Sequence, residues 1–93
     1  MFLTSNQDLY DYLLRLARTL KDRGATELSE VATGASRQAT SMSTEFLGKS
    51  RIALRRILSE GKAILNASEQ ADIEDALQQL TAAIYRLPQR RVR

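Results

Sequence analysis

Apolar residues recur along this chain at alternating intervals of four and three. Leu9, Leu13, Leu16 and Leu20 fall at spacings of 4, 3 and 4, and Ile73, Leu77, Leu80, Ile84 and Leu87 at 4, 3, 4 and 3. At about 3.6 residues per turn, each set lies along one side of an α-helix. Tyr12 and Ala17 widen the first stripe. An apolar stripe on a helix has to be covered, so each of these helices needs neighbours. The backbone has few breakers, with one Pro (Pro88) and four Gly in 93 residues, too few turns for an all-β chain. That length makes one domain with room for one modest core.

The helix ends are marked by residue type. Ser5 with Asp8 three residues later reads as a capping-box-like start, and Gly24 after Lys21 and Arg23 reads as a stop. Thr26 is expected to cap a second helix whose first turn holds Glu27. Ser68 is expected to open the last helix, with Glu69, Asp72, Glu74 and Asp75 crowding the end where the helix dipole favours negative charge. Pro88 stops it.

The middle of the chain is less determined. Leu28, Ala32, Ala35, Ala39, Met42 and Phe46 keep helical phase, at 4, 3, 4, 3 and 4. Small residues on that line let a neighbouring helix approach closely. From Phe46 the apolar face broadens through Leu47, Leu54, Ile57, Leu58, Ile64 and Leu65, as in a helix that touches two neighbours. Yet ten of the twelve residues from Thr33 to Thr44 are Gly, Ala, Ser, Thr or Gln, and Ser and Thr compete for backbone hydrogen bonds. Ser43 or Thr44 would then cap a new helix beginning at Glu45. With a break near 40–44, four helices close into one bundle. Without it, a single helix of about 57 Å would leave both halves half-covered and would demand a partner. The expected fold is all-α: a small antiparallel bundle of three to four helices, about 6–23, 27–40, 45–64 and 69–87, or with the middle two joined as one long kinked helix. Residues 1–87 form the helical domain and 88–93 a basic tail.

Several chemistries are excluded by composition. The chain has no Cys and no His, which removes the usual zinc sets and Ser-His or Cys-His pairs. The acidic run from Glu69 to Asp75 follows no calcium-loop pattern, and helix-start electrostatics accounts for it. No cofactor, no metal and no enzymatic activity are expected. No apolar run approaches the roughly 20 residues of a membrane span, and the opening MFLTSNQDLY lacks the basic start and apolar core of a signal peptide. The expected location is the cytoplasm, away from membranes.

The net charge of +3 belongs to the tail, since removing Arg86, Arg90, Arg91 and Arg93 leaves 10 basic and 11 acidic residues. These four arginines make either a solvated terminus or an arm that touches an anion. Four phosphate contacts would give a salt slope of only about −3.6 on duplex DNA. Arg51, Arg55 and Lys62 share one helical line, and Lys49 and Arg56 another. They make either a phosphate-binding stripe or partners for the acidic start of the last helix, which an antiparallel return would bring beside Arg55, Arg56 and Lys62. Arg37-Gln38-Ala39-Thr40 has the form of a basic-directed phosphorylation site, a short pattern that is frequent by chance.

Ile52 projects nearly opposite the main apolar stripe of its helix. Gly48, Ser59 and Ala63 share its line and complete a candidate interaction surface of small residues around one large one. Phe46-Leu47-Gly48 resembles, over three residues, the central Trp-x-Gly turn of small secreted helical hairpins. Phe replaces the Trp, Tyr85 is followed four residues later by Gln89 instead of an acid, and the breaks at Gly24 and 66–68 divide the chain too finely for a hairpin. The expected function is a non-enzymatic helical interaction module (adaptor, inhibitor or regulator) that pairs as a homodimer or with another protein. The alternative is a nucleic-acid-binding accessory protein that uses the Arg tail, with or without Arg51 and Arg55.

Overall fold

Four helices pack in chain order, each antiparallel to the one before. The computed structural model describes residues 3, 5–40 and 43–86, without the side chains of residues 39, 40 and 43. Its elements are α1 (Asn6–Asp22), α2 (Thr26–Ser36), a 3-10 turn (Arg37–Thr40), α3 (Ser43–Glu60) and α4 (Ala67–Arg86). There is no strand among the described residues. The radius of gyration is 13.2 Å, close to the ~12 Å expected of a folded chain this long.

α1 is capped as its sequence indicates. The Ser5 side chain accepts a hydrogen bond from the Asp8 N–H at 3.2 Å. At the other end Gly24 takes φ +83°, Ala25 N–H donates to the Leu20 carbonyl at 2.8 Å and Gly24 N–H to that of Lys21 at 3.0 Å. This paired arrangement ends a helix where the residue after the cap adopts a left-handed backbone, which glycine does at no steric cost.

Two expected caps are corrected. Thr26 is the first residue of α2, its N-cap position is Ala25, and no side chain caps that helix. α4 is opened by Asn66 instead of Ser68. The Asn66 Oδ1 accepts from Glu69 N–H at 2.8 Å, and Asn66 N–H donates to the Glu69 carboxylate at 2.9 Å, a reciprocal capping box. Asn ranks with Ser as an N-cap, and Glu69 lies at the return position of Asn66, three residues on.

The central break is present: α2 ends at Ser36, before the expected 40, and α3 starts at Ser43, within 40–44. Ser36 donates its hydroxyl to the Thr33 carbonyl at 2.6 Å, and Thr33 donates its own to that of Ser29 at 3.0 Å. The Thr33 carbonyl also accepts the Arg37 N–H. Side-chain back-bonding of this kind competes with regular helix bonding, and the chain tightens into the 3-10 turn. The long continuous helix is therefore not formed. α3 begins at Ser43, so Ser43 and Thr44 lie in its first turn and do not precede it as caps. α3 ends at Glu60, short of the expected 64, and residues 61–66 make the turn to α4. Phe46-Leu47-Gly48 lies inside α3 and not in a turn, which removes the hairpin resemblance. Met42, Leu87, Pro88 and the tail beyond lie outside the described residues.

All four helices share one core. Leu9, Leu13, Leu16 and Leu20 of α1 are buried, with Tyr12 and Ala17 beside them. Leu28, Ala32 and Ala35 of α2 meet Phe46, Leu54 and Ile57 of α3, and α4 adds Ile73, Ala76 and Leu80. Complete burial of side chains such as Leu13 and Phe46 contributes about 1.5–3 kcal/mol each before chain entropy is set against it. α1 and α4 close the bundle through their ends: Leu3 N–H donates to Gln79 Oε1 at 2.7 Å, and Arg23 pairs with Glu69.

Candidate functional site: the outer face of α2 and α3

Ile52 is 67% exposed in the middle of α3, while Phe46, Leu54 and Ile57 on the opposite side are fully buried. It forms part of a shallow groove of about 200 Å³ between α2 and α3. Val31, Gly34 and Ala35 line the α2 side, and Lys49, Ala53 and Arg56 lie on the α3 side with Ile52. The floor is made of small residues because α2 turns Ala32 and Ala35 into the core, and α3 turns Ala53. Of the expected surface, Ser59 is exposed on α3 and Gly48 is half-buried. Ala63 is exposed but lies in the turn beyond the end of α3.

Gly34 is the residue that helical phase alone did not single out. It stands in the interior of α2, where glycine costs about 0.5–1 kcal/mol relative to Ala. A Cβ placed there would meet nothing within 4 Å, so no internal contact requires its absence. The signal in the sequence was a glycine in the interior of the helix expected over 27–40.

The groove is charged at its ends, with opposite signs. At the start of α2 and end of α3, Arg56 is held by Glu60 at 3.1 Å and by Glu27 at 3.4 Å. Two carboxylates thus share one guanidinium, and Glu30 is exposed on the same side of α2. At the other end Arg37 and Lys49 are exposed, and neither pairs with a carboxylate among the described residues. One end is acidic in balance and the other basic.

The remaining basic candidates are distributed. Arg55 lies in a separate cleft of about 390 Å³ with Leu77, Gln78, Thr81 and Ala82 of α4. Arg51 is half-buried with its Nε unpartnered, and Arg86 borders a cleft near Leu3 and Leu47. Arg90, Arg91 and Arg93 lie outside the described residues. The expected pairing of Arg55, Arg56 and Lys62 with the acidic start of α4 is not formed. Arg56 turns to α2 instead, and Glu69 is taken by Arg23 of α1, whose Nη2 donates to Glu69 Oε2 at 2.7 Å. The cause is the closure between α1 and α4, which puts the C-terminus of α1 beside the start of α4.

Glu69 sits at the edge of a cleft of about 360 Å³ between α1 and α4, with Tyr12, Arg15, Thr19 and Asp72. The Arg23 guanidinium and the Asn66 N–H hold its carboxyl below the usual carboxylate range. Burial, then the charge of Asp72, push the Tyr12 phenol far above its ordinary range, with Arg15 opposing. Among the described residues no group of three acidic side chains is placed to hold a metal ion. No helix there is long and apolar enough to cross a membrane. Compared with known protein families, with characterised proteins and with solved structures, the chain matches none of them.

Proposed function

We propose that this chain is a non-enzymatic helical protein–protein interaction module of the cytoplasm, and that the outer face of α2 and α3 is its docking surface. The observation that carries the reading is Ile52, a large aliphatic side chain 67% exposed at the midpoint of a small-residue groove. Burying an exposed Ile against a partner contributes about 1.5–3 kcal/mol, and small flanking residues let a partner helix come close. A cysteine-free chain whose core closes on apolar contacts needs no oxidising compartment to fold.

A photo-reactive side chain at position 52, compared with one at exposed Ala71 of α4, tests this in the cells that make the protein. Adducts of discrete mass are expected from position 52 and not from position 71. Equal or absent yields at the two positions would contradict the reading.

A further inference from the structure

α1 and α4 are tied to each other near their two ends and flank a cleft between the ties. Leu3 N–H donates to Gln79 at one end, and Arg23 holds Glu69 at the other. The cleft of about 360 Å³ runs from Glu69 toward the middle of α1, and its volume falls in the range of small-molecule sites. Its inner wall holds a hydrogen-bonding group that the fold does not use. Tyr12 is only 8% exposed, yet its hydroxyl opens on the cleft, and no group among the described residues bonds to it. A phenol this deep in a protein ordinarily has a partner. Burial and the charge of Asp72 keep the proton on it, so it faces the cleft as a donor.

The two walls carry opposite chemistry. On α1, one turn from Tyr12, Arg15 borders the cleft, with Thr19 a further turn along. On α4, Asp72 stands across from them. Arg15 and Asp72 both act on the Tyr12 phenol through their charges. They do not pair with each other or with any other side chain among the described residues. Asp11, one turn back from Arg15, is taken by Gln7. Leu16 lies between the charged groups as an apolar floor, and Glu69 on the rim is already committed to Arg23.

We propose that this cleft binds a free α-amino acid with an apolar side chain. Arg15 and the Tyr12 hydroxyl donate to its carboxylate, Asp72 accepts from its ammonium, and its side chain lies over Leu16. The planar guanidinium suits a carboxylate. A ligand with a single charge would leave either Arg15 or Asp72 unanswered, whereas a zwitterion meets both. The cleft lies on α1 and α4, away from the α2–α3 face, and binding there does not depend on the docking role. A ligand of about nine non-hydrogen atoms, such as leucine, held in an open cleft is expected to have a dissociation constant of about 0.1–5 mM.

Amide NMR spectra of the full chain test this, titrated to about 50 mM with valine, leucine, isoleucine, methionine or phenylalanine. At least one is expected to shift the amides of residues 12–19 and 69–75 and to leave those around Ile52 in place. The tightest binder is then compared with its N-acetyl form, which lacks the ammonium, and its amide, which lacks the carboxylate. Wild type is expected to bind each blocked form at least about tenfold more weakly. Asp72→Asn is expected to lose the discrimination against the N-acetyl form and keep that against the amide. Arg15→Gln is expected to do the reverse. Both residues are exposed, so neither change disturbs the core. Tyr12→Phe, which removes only the hydroxyl, is expected to weaken binding about three- to tenfold. The absence of shifts with all five amino acids, or shifts confined to other residues, would overturn the proposal. So would blocked forms bound as tightly as the free amino acid, or charge variants that leave both discriminations unchanged.

Discussion

At the scale of single residues, two glycines separate what the fold needs from what it does not. A Cβ at Gly61 would fall 2.7 Å from the Ile57 carbonyl oxygen and 3.2 Å from Leu28 Cδ1. Both neighbours are confined, one as backbone and one as core. Gly61→Ala is expected to destabilise the chain by about 1–3 kcal/mol. Gly34→Ala, which meets open space, is expected to stabilise the dilute monomer by about 0.5–1 kcal/mol. Chemical denaturation of the two variants at low concentration checks the opposite signs. Tyr12 gives a further expectation, from pH. Its phenol ionises near pH 10 when unfolded and well above that when folded. A raised native value stabilises the fold below the unfolded pKa and loses that contribution as pH rises beyond it. Melting temperature should therefore fall as pH passes 10, and less steeply in Tyr12→Phe.

At the scale of elements, helix type and phase were legible in the sequence, while caps and boundaries were legible only in part. The Leu9 to Leu20 stripe and its ends at Ser5 and Gly24 were readable because every signal there is local. The start of α4 was not. Asn66 and Ser68 are both good N-caps, and the choice was made by Glu69, which serves the Asn66 box and Arg23 of α1 at once. That second demand comes from a residue 46 positions away. Asn66→Ala is expected to cost about 1 kcal/mol and Ser68→Ala close to nothing, readable in paired thermal melts. The carboxyl of Glu69 is held low in the folded state. Its contribution is therefore present above the ordinary Glu pKa and lost as pH falls through the native value, so the effect of Glu69→Gln should shrink in acid. The break after Ser36 was readable as a break. Its position was not, because it depends on which hydroxyls bond back to Thr33 and Ser29.

At the scale of the molecule, the closure of α1 onto α4 decides which surfaces remain open. It draws the acidic start of α4 toward Arg23 and leaves Arg56 to Glu27 and Glu60. The ends of the α2–α3 groove acquire opposite signs as a result. Ile52 was identifiable in advance, because a single aliphatic residue opposite the apolar stripe of a helix stands out from phase alone. Lys49, Arg37 and Gly34 were not, because their relation to Ile52 exists only after α2 folds back antiparallel on α3. The central claim is that this face is where the molecule is bound. Sedimentation equilibrium of Ile52→Asp beside wild type tests it most directly, since the side chain is exposed and its loss leaves the core intact. Where the wild type associates with itself, the variant, with unchanged helix content, is expected to stay monomeric over the same concentrations. A variant that self-associates as tightly as an associating wild type would contradict the account.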